Sequence, residues 1–215
     1  MNKINWASHI LNFIAVISGV FLAFYVEYLA EQRKENDEAK EILAAIIEDL
    51  EDDYRAYNKN QIPINEEQVQ LLDQLMESVV AGEVPTEEAA GAILNLENFS
   101  PTSSTYLSIT SSGKINLIDD LKVRENLSRY YDILAVESIK KGEFQVEFFS
   151  NEILPWMIAN TDLMDVDVKS LKGKAFLNKI LLYRTFISNK IRQYKDIMNS
   201  SVILKKQLEG VLEEL

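Results

Sequence analysis

The sequence predicts an all-α protein, in which an N-terminal transmembrane helix continues into a long stalk helix packed in an antiparallel helical bundle. Three observations lead there. Seven Gly and four Pro in 215 residues are fewer than a turn-rich β fold needs. Apolar residues recur at steps of three and four along most of the chain, the period of one helix face. Positions 4–26 form a run of 23 residues without Asp, Glu, Lys or Arg, and about 20 such residues cross a hydrocarbon layer of roughly 30 Å.

The elements follow in order. Residues 1–30 read as the transmembrane anchor. Trp6 at one end and Tyr25 and Tyr28 at the other stand where amphipathic rings prefer the water interfaces. A cleaved signal peptide fits less well, because Lys3 is the only basic residue before the run and helical patterning continues past it through Glu27 to Lys34. A soluble core helix is the other alternative. Residues 31–215 read as a soluble α-helical domain, divided into an acidic stalk over 31–58 and a bundle over 64–215. Ala39, Ile42, Leu43, Ile46, Ile47, Leu50, Tyr54 and Tyr57 give the stalk one apolar stripe, and a free stalk of this length would project roughly 45 Å from the bilayer.

The polar stretch Asn58–Pro63 predicts a break, with Asn65 capping the next helix and Gly82 ending it. Thr86 opens a short helix to about Leu96. The Thr/Ser-rich segment from Glu97 to Lys114 is the least helical by composition, although Tyr106–Gly113 fits one short helix closed by glycine. Helical patterning returns from Leu117 to Ile153, with a bend expected at Gly142, and again from Lys174 to Leu215. The apolar residues of these runs keep no strict heptad, which favours a packed bundle over a free coiled coil.

Composition excludes several chemistries. The chain has no Cys and one His, His9, so disulfides, thiolate metal sites, cysteine nucleophiles and paired-imidazole sites are absent. No nucleophile elbow, phosphate loop or dinucleotide fingerprint occurs. The carboxylate pairs Glu48/Asp52 and Asp49/Asp53 are spaced to share a cation, but a charge run on a helix is usually its solvated face. Asp162, Asp165 and Asp167 lack the glycine and closing Glu of a calcium loop. No cofactor, no metal and no catalytic residue is assigned.

Charge is distributed unevenly. Residues 27–100 hold 19 acids and 5 bases, whereas Lys169–Lys206 hold ten bases and one acid. Opposite fields on two long helices predict that they lie side by side, with Lys190, Arg192 and Lys195 pairing against the stalk. A sequence pI near 4.6 argues against nucleic acid as a partner.

Within the anchor, Ala15, Gly19 and Ala23 repeat every four residues, and Asn5, Ser8 and Asn12 extend the same side. Small residues at this spacing let two helices approach closely, so the expected partners are the lipid bilayer, further copies of the chain and other membrane proteins. Lys3 faces Arg33, Lys34 and Lys40 across the span; this imbalance of about one charge favours a cytoplasmic soluble domain.

Three patterns carry a family resemblance: the span running into Glu31-Gln-Arg-Lys-Glu35 and Ile42-Leu-Ala-Ala-Ile-Ile-Glu-Asp-Leu50; Thr105-Tyr-Leu-Ser-Ile-Thr-Ser-Ser-Gly-Lys-Ile-Asn-Leu-Ile118; and Leu121 to Tyr131, ending Leu-Ser-Arg-Tyr-Tyr. Together they resemble a family of uncharacterised single-pass membrane proteins, a domain of unknown function common in Bacteroidetes-type bacteria. The resemblance covers about the first 135 residues and departs in lacking a Trp at Tyr28 or Leu29. It implies a bacterial inner-membrane protein with an α-helical domain and supplies no activity. Tyr106–Leu117 reads as a turn packed tightly on the bundle, with a ligand or partner loop as the alternative. The expected role is non-enzymatic: a scaffold, sensor or accessory subunit of a membrane assembly, self-associating through its transmembrane helix. A homo-oligomeric channel lined by the polar face of that helix, and a membrane-tethered carboxylate-dependent hydrolase, are the competing expectations.

Overall fold

The computed structural model describes residues 6–161 and 170–215, with side chains from Ile10 onward in the first helix. It is 88% helical, and no strand occurs among the described residues. Helix α1 (Trp6–Ala56) passes through a π-helical turn, Tyr57–Gln61, into α2 (Ile62–Ala81). The chain then descends through α3 (Glu87–Gly91), a 3-10 turn Ala92–Leu94, an extended segment 95–103 and α4 (Ser104–Ser111). After a second 3-10 turn, Lys114–Leu117, it rises again through α5 (Leu121–Ser128), α6 (Val136–Phe148) and α7 (Leu154–Asn160), joined by π turns Arg129–Ala135 and Phe149–Ile153. Helix α8 (Lys174–Glu214) runs the full length of the bundle back down.

The result is an up–down–up–down bundle whose second element is two short helical stretches joined by the non-helical segment 95–103. Ion pairs fix the direction of α8 against the first helical path: Arg184 to Asp73 at 2.8 Å, Lys195 to Glu66 at 2.5 Å and Lys205 to Glu51 at 2.5 Å. As one index falls the other rises, so the two paths are antiparallel. The opposite charges of α8 and the acidic half therefore do face each other.

Buried positions on α8 are Phe176, Ile180, Tyr183, Ile187, Lys190, Tyr194, Ile197, Ser201, Leu204 and Leu208, with Ile191 buried beside Lys190 at the edge of the stripe. This is an alternating three–four spacing, the heptad that the apolar residues alone do not show. Lys190 and Ser201 occupy core positions of that repeat, and counting only apolar residues leaves gaps there. The first path matches it with Ala39, Leu43, Ile46, Leu50, Asp53 and Tyr57, then Gln61, Asn65, Gln68, Leu72 and Leu75, with Ile42 and Ile62 buried at the edge of the stripe.

Between Tyr57 and Gln61 the step is four where the alternation calls for three. The π turn inserts one residue at that place and keeps the buried face toward α8. The same correction recurs on the third path. There Tyr130 and Tyr131 are both buried ahead of Ala135, and Phe149 is followed by Ile153, each across a π turn. The break expected at Asn58–Pro63 is thus a register correction inside a continuous helix. Pro63 is accommodated because a widened turn relieves its clash with the preceding carbonyls, and Asn65 is buried, donating to the Gln61 carbonyl at 2.6 Å instead of capping a new helix.

Local signals behave as the residue types dictate elsewhere. Gly82 and Gly113 take φ of +76° after α2 and α4, the left-handed conformation that L side chains avoid. Thr86 caps α3 by accepting from the Ala89 N–H at 3.2 Å, and Asp120 caps α5 by accepting from Lys122 N–H at 2.8 Å. Gly142 does not bend its helix. It lies where a Cβ would fall 1.9 Å from Asn98 Oδ1, so the descending segment can touch the α6 backbone only because glycine is there.

Residues 10–36 of α1 are exposed around the whole circumference, and burial begins at Ala39. This helix contains a stretch long and apolar enough to cross a membrane. Residues 39–58 belong to the packed bundle and Glu38 is paired with Lys114, so most of the expected stalk is packed and does not project as a bare helix.

Candidate functional site

An extended chain inside a bundle leaves its backbone N–H and C=O groups without helical partners, and each must find one elsewhere. The described residues supply a layer of buried polar side chains that do this for segment 95–103. From α2, Gln68 Nε2 donates to the Ala92 and Asn95 carbonyls, both at 2.8 Å. From α6, Gln145 Nε2 donates to the Asn95 carbonyl at 2.9 Å and to Tyr183 Oη at 3.0 Å. On α8, the Tyr183 hydroxyl reaches the Ile93 and Asn95 carbonyls, each at 3.2 Å. Lys190 Nζ donates to the Glu97 carbonyl at 2.8 Å and to Gln145 Oε1. Tyr194 receives the Phe99 N–H at 3.3 Å and donates to Asn98 Oδ1 at 2.9 Å. Lower down, Asp53 on α1 accepts from the Thr102 N–H at 2.9 Å and from the Tyr130 hydroxyl at 2.9 Å.

Two ionisable groups of opposite sign therefore grip the same segment from opposite helices. Lys190 is fully buried and Asp53 nearly so. Burial disfavours the charged form of each. The Asp53 carboxyl is pushed up to about 6, with the Thr102 and Tyr130 hydrogen bonds opposing the shift. The Lys190 ammonium is pulled down to about 8, opposed by the nearby Glu97 charge. The surrounding tyrosines Tyr57, Tyr130, Tyr131 and Tyr194 are all raised, first by burial, and so remain neutral. Tyr57 closes the network by bonding Ser138 at 3.1 Å and meeting the Phe99 and Tyr194 rings.

Chemically this arrangement is a clamp. Its amide, ammonium and hydroxyl donors are used on backbone and on each other, Gln68 Oε1 is buried without a partner among the described residues, and Lys190 forms no ion pair with a carboxylate among the described residues. The Thr/Ser-rich α4 lies beside α1. Tyr106 stacks on Tyr131 at 4.5 Å between centroids and donates to Asp132 at 2.7 Å.

The structure distributes the residues singled out in the sequence as follows. Asn12, Ala15, Gly19 and Ala23 share one exposed face of α1, and Tyr25 and Tyr28 are exposed at its far end. Asn5 lies outside the described residues, as do Asp162, Asp165 and Asp167; for Trp6, Ser8 and His9 only the helical backbone is described. Of the three basic residues expected to pair with the stalk, Lys195 pairs instead with Glu66 on α2. Lys190 is a correction: it points into the core and holds the Glu97 carbonyl. Arg192 is another, because it lies on the outer face and bonds Asn189 on its own helix at 3.0 Å. The stalk is held by Lys205 on Glu51 and by Lys114 on Glu38.

Asp53, Gln68, Gln145 and Lys190 were not singled out as core groups by sequence reasoning. The available signal was their position: each falls on the three–four spacing of its helix's apolar stripe. Among the described residues no group of three or more His, Cys, Asp or Glu could hold a metal ion. No protein-family model, curated protein or solved structure matches this chain.

Proposed function

We propose that this chain is a single-pass membrane-anchored scaffold or accessory subunit, non-enzymatic, that self-associates through its transmembrane helix and holds a helical bundle close to the bilayer. The observation that carries the reading is that one helical path bears both the lipid-length apolar surface of residues 10–29 and the core-forming stripe that begins at Ala39. The apolar stretch and the bundle therefore share one continuous helix. A signal sequence has no reason to share its helix with a protein core.

Helix phase favours self-association. Gly19 and the buried Ile46 are 27 positions apart, about seven and a half turns, and so point in opposite directions. The small-residue face thus lies away from the chain's own bundle, and two copies can meet along it without collision. A sensor is the same architecture with a signal added. The membrane in question is the inner membrane of a bacterium, following the family resemblance, with the bundle on the cytoplasmic side by the charge imbalance across the span.

The test is native mass spectrometry of protein extracted in nanodiscs, for the wild type and Gly19→Leu. A defined oligomer that dissociates in the variant is expected. A monomer in both would overturn self-association, and release of the protein by alkaline carbonate would overturn the anchor.

A further inference from the structure

The bundle occupies only one side of α1. Lys205 holds Glu51 on the flank toward α8, and Lys114 holds Glu38 on the flank toward α4. The side between these flanks is exposed at Arg33, Asp37, Ala44 and Glu48. Asp37 and the buried Ile46 are nine positions apart, about two and a half turns, and so point in opposite directions. This open side carries a three–four alternation of its own. Ala23, Ala30, Asp37 and Ala44 stand seven residues apart, and Gly19, Val26, Arg33 and Lys40 stand seven apart between them. Two parallel helices meet along a seam of this spacing. The seam stops after Ala44, because its next two positions belong to the chain's own bundle: Ile47 packs against the core and Glu51 holds Lys205.

The charges on the seam identify what covers it. Arg33, Asp37 and Lys40 alternate in sign, and none forms an ion pair among the described residues. They lie about 10–20 Å past Val26, beyond a headgroup layer about 5–8 Å thick, so lipid does not neutralise them. Two copies of a single-span chain inserted the same way are parallel, with equal residues at equal heights. Helical side chains lean toward the N-terminus. Across a two-fold axis Lys40 of each copy therefore leans onto Asp37 of the other, and that Asp37 leans toward Arg33. A two-fold contact is self-complementary, so each of these pairs occurs twice. Ala30 and Ala44 flank the charged layers with side chains small enough for the helices to approach.

We infer that the open side of α1 from Gly19 to Ala44 docks a second, parallel copy of this chain, with Arg33, Asp37 and Lys40 pairing between the copies outside the membrane. This inference rests on the self-associating, membrane-anchored reading and extends its contact into water. The experiment co-reconstitutes two isotope-distinguished full-length variants in nanodiscs, Arg33→Glu/Lys40→Glu with an acidic seam and Asp37→Lys with a basic one, and counts pairs by native mass spectrometry. Mixed pairs are expected at least fivefold above random mixing. The chain has no Cys, so a single introduced thiol reports the face. Oxidation is expected to link copies through Ala30→Cys and Ala44→Cys at least fivefold faster than through Glu35→Cys, about 160° round the helix from Asp37. Random mixing of the charge variants, or equal linking at all three positions, overturns the pairing outside the membrane, and dissociation by Gly19→Leu then leaves the membrane contact standing. A monomeric wild type overturns both.

Discussion

Lys190 gives the bundle a stability that rises with pH. A free lysine titrates near 10.5, whereas the buried ammonium titrates at about 8. The folded value is depressed, so the stabilising contribution is fully present above pH 10.5 and is lost as the pH falls through 8. Between these values the unfolded chain binds a proton that the folded chain does not, and stability rises with pH by about 1.4 kcal/mol per unit. Tyrosines limit the upper end: their folded values are raised, so their contribution is lost once unfolded tyrosine ionises near pH 10. The usable window is pH 8 to 9.5, where the gain amounts to about 2 kcal/mol. Urea unfolding of the detergent-solubilised chain, followed by far-UV circular dichroism across that window, measures it. Lys190→Met keeps the length of the side chain and removes the titration; its stability is expected to be flat over the same range. A wild-type curve that is flat or falls between pH 8 and 9.5, or a variant that rises in parallel with it, would refute the account of Lys190 as a buried charge.

Asp53 predicts the mirror image at low pH: its folded value near 6 is raised from 3.8, so its contribution is present below 3.8 and lost as pH climbs through 6, and Asp53→Asn is expected to remove that slope from an acid titration of stability. Gly142→Ala drives a methyl onto Asn98, which holds both Tyr194 and the Phe99 N–H; a loss of about 1–3 kcal/mol is expected in urea melts, and a change below 0.5 would mean that the descending segment moves freely. Reversing single charges separates pairs from bystanders: Lys195→Glu breaks its half-exposed contact with Glu66 and is expected to cost up to about 1 kcal/mol, more at low salt, while Arg192→Glu is expected to leave the melting curve where it is. Deleting Lys59, exposed within the first π turn, returns the helix to regular α geometry with the same buried face. A small shift in melting temperature is expected for it, in contrast to deletion of Glu48, which rotates the following core stripe by about 100° and is expected to abolish cooperative unfolding.

The all-α class, the long first and last helices and the C-terminal glycines of α2 and α4 were legible because each has a local cause: periodicity, or a conformation that only glycine adopts readily. The opposed charges of α8 and the acidic half were also legible as a general field. Their individual partners were not, since Lys190, Arg192 and Lys195 differ in which face of one helix they occupy, and that face is defined by a heptad whose polar members are invisible to an apolar count. The break read at Asn58–Pro63 failed for a related reason. Polar residues and a proline mark a loop only if the chain leaves the helix there, and a π turn offers another way to host both. The clamp itself was out of reach from sequence, because Gln68, Gln145 and Asp53 are needed only once the second element of the bundle is known to leave the helix over 95–103.

That extended element bears on why the core is polar at all. A heptad of Ile and Tyr on α8 packs nearly as well if the helix slips by seven residues, about 10 Å, since apolar layers replace apolar layers. The clamp removes this degeneracy. After such a slip Lys190 would stand in the place of Tyr183 or Ile197, away from the Glu97 carbonyl and Gln145, and a buried ammonium without acceptors costs several kcal/mol. The carbonyls of Ile93 and Asn95, which Tyr183 now satisfies, would lose a donor at the same moment. Buried polar groups that add little net stability can in this way fix one register among several. Here the register is the one that sets Lys205 against Glu51 and the end of α8 beside Glu31–Glu38.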